Sequence, residues 1–246
     1  MSDANTTVEA ADALSHVPIL RSLEEKVDPR HTALIVIDVQ NDFCAPGGMM
    51  DKEGLDLSLA QAMGGRMPGL IDGARQAGST VVFVRNVYSS SGNSYLSDVW
   101  LEQATRRRGE SYTKRDVCAA DSWEGDFYGE IAPLPGEAII TKHRYSAFHN
   151  TDLQTVLRAN GIRTVVLAGV ATNVCVETTA REAFIRDFYV VFLDDGTATY
   201  AEADHAATLS IIDRNFGQVA TIAEVLDAWD AATAAPPPEA EIAHAH

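Results

Sequence analysis

The stretch TVVLAGVATNVCVETTAREAF, residues 164 to 184, constrains the fold more than any other part of the chain. Its first half holds an unbroken apolar run, Val165 to Ala168, which reads as a strand covered on both faces, because a strand open to water on one side alternates with polar residues. Gly169 permits a sharp exit from that strand. The second half has helical spacing: Val176, Ala180, Ala183 and Phe184 share one face, and Glu177 and Arg181 form an i,i+4 pair on another. A doubly covered strand feeding a helix is the repeating unit of a parallel α/β sheet, in which each crossover covers one face. Cys175 falls in the first turn of the helix, where unpaired amide N–H groups and the positive end of the dipole favour a thiolate. Two readings stand for it, a nucleophile or a small buried core residue.

The same alternation recurs along the chain. Ala33 to Asp38 (ALIVID) is an apolar strand ending in an acid, followed by the turn-rich VQNDFCAPGG. A helical pattern from Leu55 to Ala77 is interrupted by Gly64, Gly65 and Pro68, leaving Leu70, Ile71, Ala74 and Ala77 as its best apolar face, with Gly78 as the stop. Thr80–Val84 and Ala138–Thr141 are the next strands. Thr151 and Gln154 read as a capping box for a helix presenting Leu153, Val156 and Leu157. After residues 164–184 come a strand at Tyr189–Leu193, a helix at Ala203–Asn215, a short edge strand at Gln218–Ile222 and a closing helix at Glu224–Ala232. This order predicts an α/β fold: a three-layer, doubly wound, mostly parallel six-stranded sheet with helices on both faces.

Three segments are expected. Residues 1–30 form an acidic, Ala-rich arm, held against the body or a neighbouring subunit, or else frayed. Residues 31–232 form one domain, and the Pro/Ala-rich 233–246 form a disordered tail. Asn86 to Pro135 is a polar, aromatic-rich insertion of the kind that walls a site or builds a satellite core, with Trp123 and Tyr88 as its pocket candidates.

The net charge of −16 argues against nucleic acid or an anionic membrane as a partner, because binding a phosphate backbone takes clustered Lys and Arg. Cys44, Cys118 and Cys175 are odd in number and lack metal-type spacing, so no disulfide framework or zinc site is expected. No apolar run approaches the length of a spanning helix, and the N-terminus lacks a basic start followed by an apolar core. A cytoplasmic protein is expected.

Three strand ends carry the chemistry. In an open parallel sheet, ligands bind at the carboxyl ends of the strands. Asp38 stands at such an end, although a carboxylate there also serves as a loop or helix cap. Lys142 stands at another, in a chain with only four lysines, and a plain solvated lysine is its alternative. Together with Cys175 they form a coherent apparatus: the cation favours the thiolate, and the carboxylate takes the thiol proton and returns it to a leaving nitrogen. The sulfur would attack an amide-like carbonyl, with the backbone N–H groups of Ala171 and Cys175 placed to hold the oxyanion.

These residues also carry a resemblance. DVQNDF around Asp38, the strand-terminal Lys142 and GVATNVCVETTAREAF around Cys175 resemble the signature of the isochorismatase-like cysteine hydrolases over most of residues 32 to 225. Within that family, KHRYSAFHNTDLQTVLRANGIRTVVLAGVATNVCVETT is most similar to the ureidoacrylate amidohydrolases of pyrimidine degradation, with biuret and triuret hydrolases as near relatives. The resemblance implies an Asp-Lys-Cys triad of Asp38, Lys142 and Cys175, and a cis Val170–Ala171 peptide that orients the oxyanion hole. It also implies contacts to substrate from Tyr145 and Asn86, and Asn41 and Trp123 complete the expected substrate-facing set. His143 and Ala147 stand where the ureidoacrylate enzymes commonly have Pro and Gly, a change that touches the loop and leaves the triad alone. RNVYSSS replaces the metal-binding motif that nicotinamidases carry after the second strand, so no metal and no cofactor are expected.

The activity implied is hydrolysis of a C–N bond in a small linear ureido or carbamoyl compound through a thioester-type intermediate, releasing ammonia, carbamate or both. A ureidoacrylate-type substrate is preferred, then biuret or triuret, then N-carbamoylsarcosine. Vinyl ether hydrolysis of the isochorismate type, which needs no cysteine nucleophile, and a noncatalytic binding role are the rivals. A homo-oligomer, dimer or tetramer, is expected by the same resemblance.

Overall fold

The computed structural model describes residues 17–88, 95–108 and 116–234. Six strands, β1 (Thr32–Ile37), β2 (Thr80–Asn86), β3 (Ala138–Lys142), β4 (Thr164–Val170), β5 (Tyr189–Ala198) and β6 (Gln218–Ala220), form one sheet in the order β3-β2-β1-β4-β5-β6. Every pairing among them is parallel. The longer helices are α1 (Ser58–Ala77), α2 (Asp98–Arg108), α3 (Leu153–Ala159), α4 (Glu177–Ile185), α5 (Glu202–Asn215) and α6 (Ile222–Ala234).

Strand alternation sorts the core into two layers. Leu34 and Val36 of β1, with Val166 and Ala168 of β4, face a cluster that includes Met63, Met67, Leu70 and Ile71 of α1 and Val225 and Trp229 of α6. Ala33, Ile35 and Ile37, with Val165 and Leu167, face the other cluster, where α3, α4 and α5 supply Leu153, Leu157, Ala180, Ala183 and Ile212. All six residues of β1 and all seven of β4 are buried, as expected for strands covered on both sides.

The winding reverses between β1 and β4: β2 and β3 extend one way from β1, and β5 and β6 extend the other way from β4. Carboxyl ends on the two sides of that reversal flank a crevice, the usual ligand site of such sheets. At the junction Gly169 has φ +123°, and a Cβ there would collide with the Ile37 carbonyl oxygen of β1. Glycine is thus fixed by close strand approach, and the chain leaves the sheet only after Val170.

Three local expectations are corrected. The helix from Ser58 to Ala77 is continuous through Gly64, Gly65 and Pro68. A Cβ at Gly64 would lie 2.8 Å from the Tyr128 ring, and one at Gly73 would strike Leu226, so these glycines let neighbours approach rather than stop the helix. The buried stripe Ala60, Met63, Met67, Leu70, Ile71 and Ala74 outweighs an intrinsic cost of about 1 kcal/mol per glycine and about 3 for proline. The Thr151/Gln154 capping box is not formed: α3 begins after Asp152 without a side-chain cap, and Gln154 accepts instead from Arg186. Phe184 is half exposed, packed edge-on against Phe216. It lines a groove of about 810 Å³ at the amino-terminal ends of β5 and β6, the edge of the sheet opposite Cys175.

Of the expected arm and tail, residues 1–16 and 235–246 lie outside the described residues. Residues 17–30 lie against the body: the Leu20 N–H donates to the Tyr189 hydroxyl, and the Trp229 indole donates to the Val27 carbonyl. Among the described residues, no helix is long and apolar enough to cross a membrane.

Candidate active site

Asp38, Lys142 and Cys175 meet at the crevice. Asp38 follows β1 directly with φ +54°, a left-handed conformation that Asp tolerates better than most residues, and its N–H still donates to Val84 of β2. Lys142 ends β3, two strands away, roughly 9–10 Å at ordinary strand spacing. Its long stem bridges that gap: Nζ lies 2.7 Å from Asp38 Oδ2 and 3.4 Å from Cys175 Sγ, and donates to the Arg144 carbonyl at 3.1 Å. Asp38 and Lys142 are fully buried and Cys175 is 6% exposed.

Burial dominates the electrostatics of this cluster. It pushes the Asp38 carboxyl above the usual carboxylate range, against the pull of the Lys142 ammonium and of hydrogen bonding with Lys142 and Cys175. Burial also opposes the Lys142 charge, but Asp38 and Cys175 outweigh it and hold the ammonium above its ordinary value. The Cys175 thiol is pushed by burial up to about 12, with Lys142 opposing and Asp38 assisting. Burial thus works against the thiolate that the helix start and Lys142 favour, because dehydrating sulfur's charge opposes what the neighbouring cation returns.

The turn that carries Cys175 is also not the expected first α-helical turn. Thr172–Val176 forms a π-helical turn, with the Ala171 carbonyl accepting from Val174 and Val176, and α4 starts only at Glu177. The Val170–Ala171 peptide is cis. Such single π turns inside helices recur at functional sites. Thr179, fully buried, latches the turn: its hydroxyl donates to the Cys175 carbonyl at 2.7 Å and accepts from the Ala147 N–H at 3.0 Å. Ala147 belongs to the loop after Lys142, so one threonine ties the nucleophile's turn to the lysine's loop. The Glu177–Arg181 pair forms as expected, at 2.6 Å.

The residues expected to face a substrate fall into two groups. Asn86 ends β2 in register with Lys142, between the acid's strand and the lysine's strand. Its main chain is held on both sides by Gln40, which accepts from the Asn86 N–H at 2.7 Å and donates to its carbonyl at 3.1 Å, while its fully buried side-chain amide has no hydrogen-bond partner among the described residues. Tyr145 packs against both core layers and lies 4.8 Å, ring to ring, from Trp100 of α2. Asn41 is committed to scaffold, its amide donating to the Trp123 carbonyl at 2.7 Å. Trp123 is 49% exposed in a short 3₁₀ turn.

Trp100, an aromatic of the insertion expected to wall a site but not singled out there, joins Tyr88 (ring centroids 4.7 Å) and Tyr145 in an aromatic wall, and its buried indole N–H has no partner among the described residues. The weak apolar pattern of its helix gave no ground for choosing it over its aromatic neighbours. His143, the residue that departs from the family motif, stacks face to face on Tyr95 at 3.6 Å, and its Nδ1 lies 2.6 Å from the Val87 carbonyl oxygen.

The chain is similar to known proteins over most of its length. Residues 32–224 match the isochorismatase domain. The chain is 36% identical over 204 residues to the ureidoacrylate amidohydrolase RutB of Caulobacter vibrioides, covering 80% of this chain and 91% of that protein. Among solved structures, a cysteine hydrolase from Pseudomonas syringae pv. phaseolicola superimposes with a TM-score of 0.72 at 29% identity, covering 89% of this chain and all of that one. The N-carbamoylsarcosine amidase from Thermoplasma acidophilum does so with a TM-score of 0.60 at 25% identity, covering 78% and 96%.

Proposed function

The chain belongs to the isochorismatase family, and we propose that this amidohydrolase opens a C–N bond of a small linear ureido compound, of the ureidoacrylate type first, by covalent catalysis at Cys175. The observation that carries the proposal is the buried lysine set 2.7 Å from Asp38 and 3.4 Å from the cysteine sulfur. A cation and a carboxylate with no solvent access would be an expensive way to decorate a thiol that only fills space.

The directions in which burial and neighbouring charge shift these groups suggest the order of events. The thiol is too weak an acid to ionise alone, and the carboxyl beside it is a stronger base than an exposed carboxylate. Proton transfer from Cys175 to Asp38 therefore accompanies attack of sulfur on the substrate carbonyl, with Lys142 compensating negative charge as it moves between carboxylate and sulfur. The carbonyl π pair moves to oxygen, where the N–H groups of Ala171 and Cys175 hold it. Collapse expels the nitrogen, which takes the proton from Asp38, and leaves a thioester. Water, deprotonated by Asp38, attacks the thioester, and the thiol is regenerated, with ammonia, carbamate or both released. Asn86 supplies one donor and one acceptor for the ureido or carboxylate end of the substrate, a pairing that its unpartnered amide awaits. Tyr145 and Trp100 wall the pocket.

A second reading, an N-carbamoyl amino acid amidase, draws on the likeness to the N-carbamoylsarcosine enzyme. Ammonia release from ureidoacrylate, biuret, triuret and N-carbamoylsarcosine, measured side by side with Cys175→Ser as the blank, tests both. The expected result is a clear rate advantage for ureidoacrylate that the blank lacks. Full activity in Cys175→Ser would sink the covalent mechanism, and turnover of another compound alone would move the substrate.

A further inference from the structure

A chain of polar side chains outside the reacting trio ends on the nucleophile's turn. Thr172, one residue past the cis peptide and fully buried, has its Oγ1 2.9 Å from His205 Nδ1, and His205 Nε2 lies 3.0 Å from Asp194 Oδ1. Asp194 belongs to β5 and His205 to α5. One neutral tautomer satisfies every member: Nε2–H donates to Asp194, and Nδ1 accepts from the threonine hydroxyl. The same elements brace the turn elsewhere. Thr199, just past β5, donates to Asn173 at 2.8 Å, and Thr208 of α5 donates to Glu177 at 2.7 Å. Contacts from α5 therefore fall on both sides of Cys175 in sequence, at residues 172 and 177. A side chain that only filled space at position 172 would be matched by valine, with no buried hydroxyl to satisfy.

We propose that His205 is a positioning residue that acts through Thr172 to aim the Ala171 N–H at the oxyanion, with Asp194 fixing the imidazole. The inference rests on the oxyanion role given to Ala171 above. It predicts that loss of the imidazole weakens steps that place negative charge on a carbonyl oxygen and spares steps that use the sulfur alone.

Two thiol probes separate these. Acetaldehyde adds to Cys175 reversibly: the S–C bond forms, the thiol proton passes to Asp38, and the carbonyl π pair moves to an oxygen that then carries negative charge at the Ala171 N–H. Iodoacetamide alkylates the same sulfur, the S–C bond forming as iodide leaves and the thiol proton passing to solvent, and places no charge on a carbonyl oxygen. Acetaldehyde affinity is read as protection of Cys175 against iodoacetamide, followed by mass spectrometry of the Cys175 peptide at fixed pH. His205→Ala and Thr172→Val are expected to weaken acetaldehyde protection about tenfold while alkylation without aldehyde stays within about twofold. His205→Asn, whose carboxamide oxygen falls near the place of Nδ1, is expected to recover most of the protection. Unchanged protection in both variants, or a parallel fall in alkylation, would overturn the proposal. Thr172→Val, nearly isosteric, keeps the test open if His205→Ala does not fold. Neither probe is a ureido compound, so failure to hydrolyse any of the four candidate substrates would count against the proposed function and not against His205. Absence of aldehyde protection in the unaltered protein would remove the oxyanion role that His205 is inferred to serve.

Discussion

The two halves of the sheet equip the crevice differently. From β1, β2 and β3 come side chains: Asp38, Asn86 and Lys142, each the last residue of its strand or the next one on, each fully buried. From the segments that follow β4 and β5 comes a shaped backbone: a cis peptide, a π turn around Cys175, and hydroxyl latches from Thr179 of α4 and from Thr199. In the first half, function resides in charges that are costly to bury alone, so chemistry and stability are coupled. In the second, it resides in where amide groups point, so small uncharged contacts matter.

Five expected outcomes bear on that contrast. Replacing Cys175 by Ala should lower turnover of the best substrate at least about 10⁴-fold with the fold intact by circular dichroism, since the nucleophile belongs to the backbone-shaped half. Lys142→Met should damage both quantities, lowering activity about 10³-fold and stability by roughly 3–5 kcal/mol in urea titrations, because Asp38 is left as an unpaired buried charge. The double variant Lys142→Met/Asp38→Asn should regain much of that stability and none of the activity. If Lys142→Met alone were as stable as the parent, the coupling claimed for the first half would be wrong.

Asn86→Ala should raise KM about 10- to 100-fold and leave the denaturation midpoint nearly unchanged, since its amide gives up no partner in the free protein. The remaining outcome concerns pH. Burial raises the Cys175 and Cys44 thiols from 9.0 to about 12, so the folded state binds protons that the unfolded state releases. The stability this contributes is fully present below about pH 9 and is lost as pH rises toward 12, by up to about 1.4 kcal/mol per pH unit for each thiol. Chemical denaturation at pH 8, 9 and 10 should show the decline, and Cys44→Ala should make it shallower, with Cys175 and the buried Cys118, also raised by burial, supplying the remainder.

The sheet was legible in the sequence because strands covered on both faces, Ala33–Ile37 and Val165–Ala168 above all, are continuous apolar runs that few other structures explain. The acid and the lysine were legible for the same reason, as charges interrupting such runs at their ends. Local punctuation was less reliable. Gly64 and Pro68 read as breaks, but their meaning lay in Tyr128 and the sheet, more than sixty residues away or across the core. Thr179, Gln40, Trp100 and His205 left no local mark, since their partners are distant in the chain: Gln40 meets Asn86 46 positions on, and Thr179 meets Ala147 32 positions back. What opposes a thiolate at Cys175 was not legible, because position at a helix start can be read from spacing, whereas burial, the largest influence on this thiol, cannot.

The clamp of Gln40 on Asn86 has one more implication. By accepting from the Asn86 N–H and donating to its carbonyl, and by donating also to the Gly125 carbonyl, the Gln40 carboxamide takes the place of a neighbouring strand where the sheet has run out. Asn86 is thereby immobilised before any ligand arrives. A ligand that pairs with its amide meets a group whose backbone freedom has already been spent in folding, and side-chain ordering on binding typically costs about 0.5–1.5 kcal/mol for each group that must be fixed. Part of the affinity of the site is thus stored in a glutamine whose own amide is wholly engaged with the protein, and the entropy of binding, rather than its enthalpy, is where a change at position 40 would register.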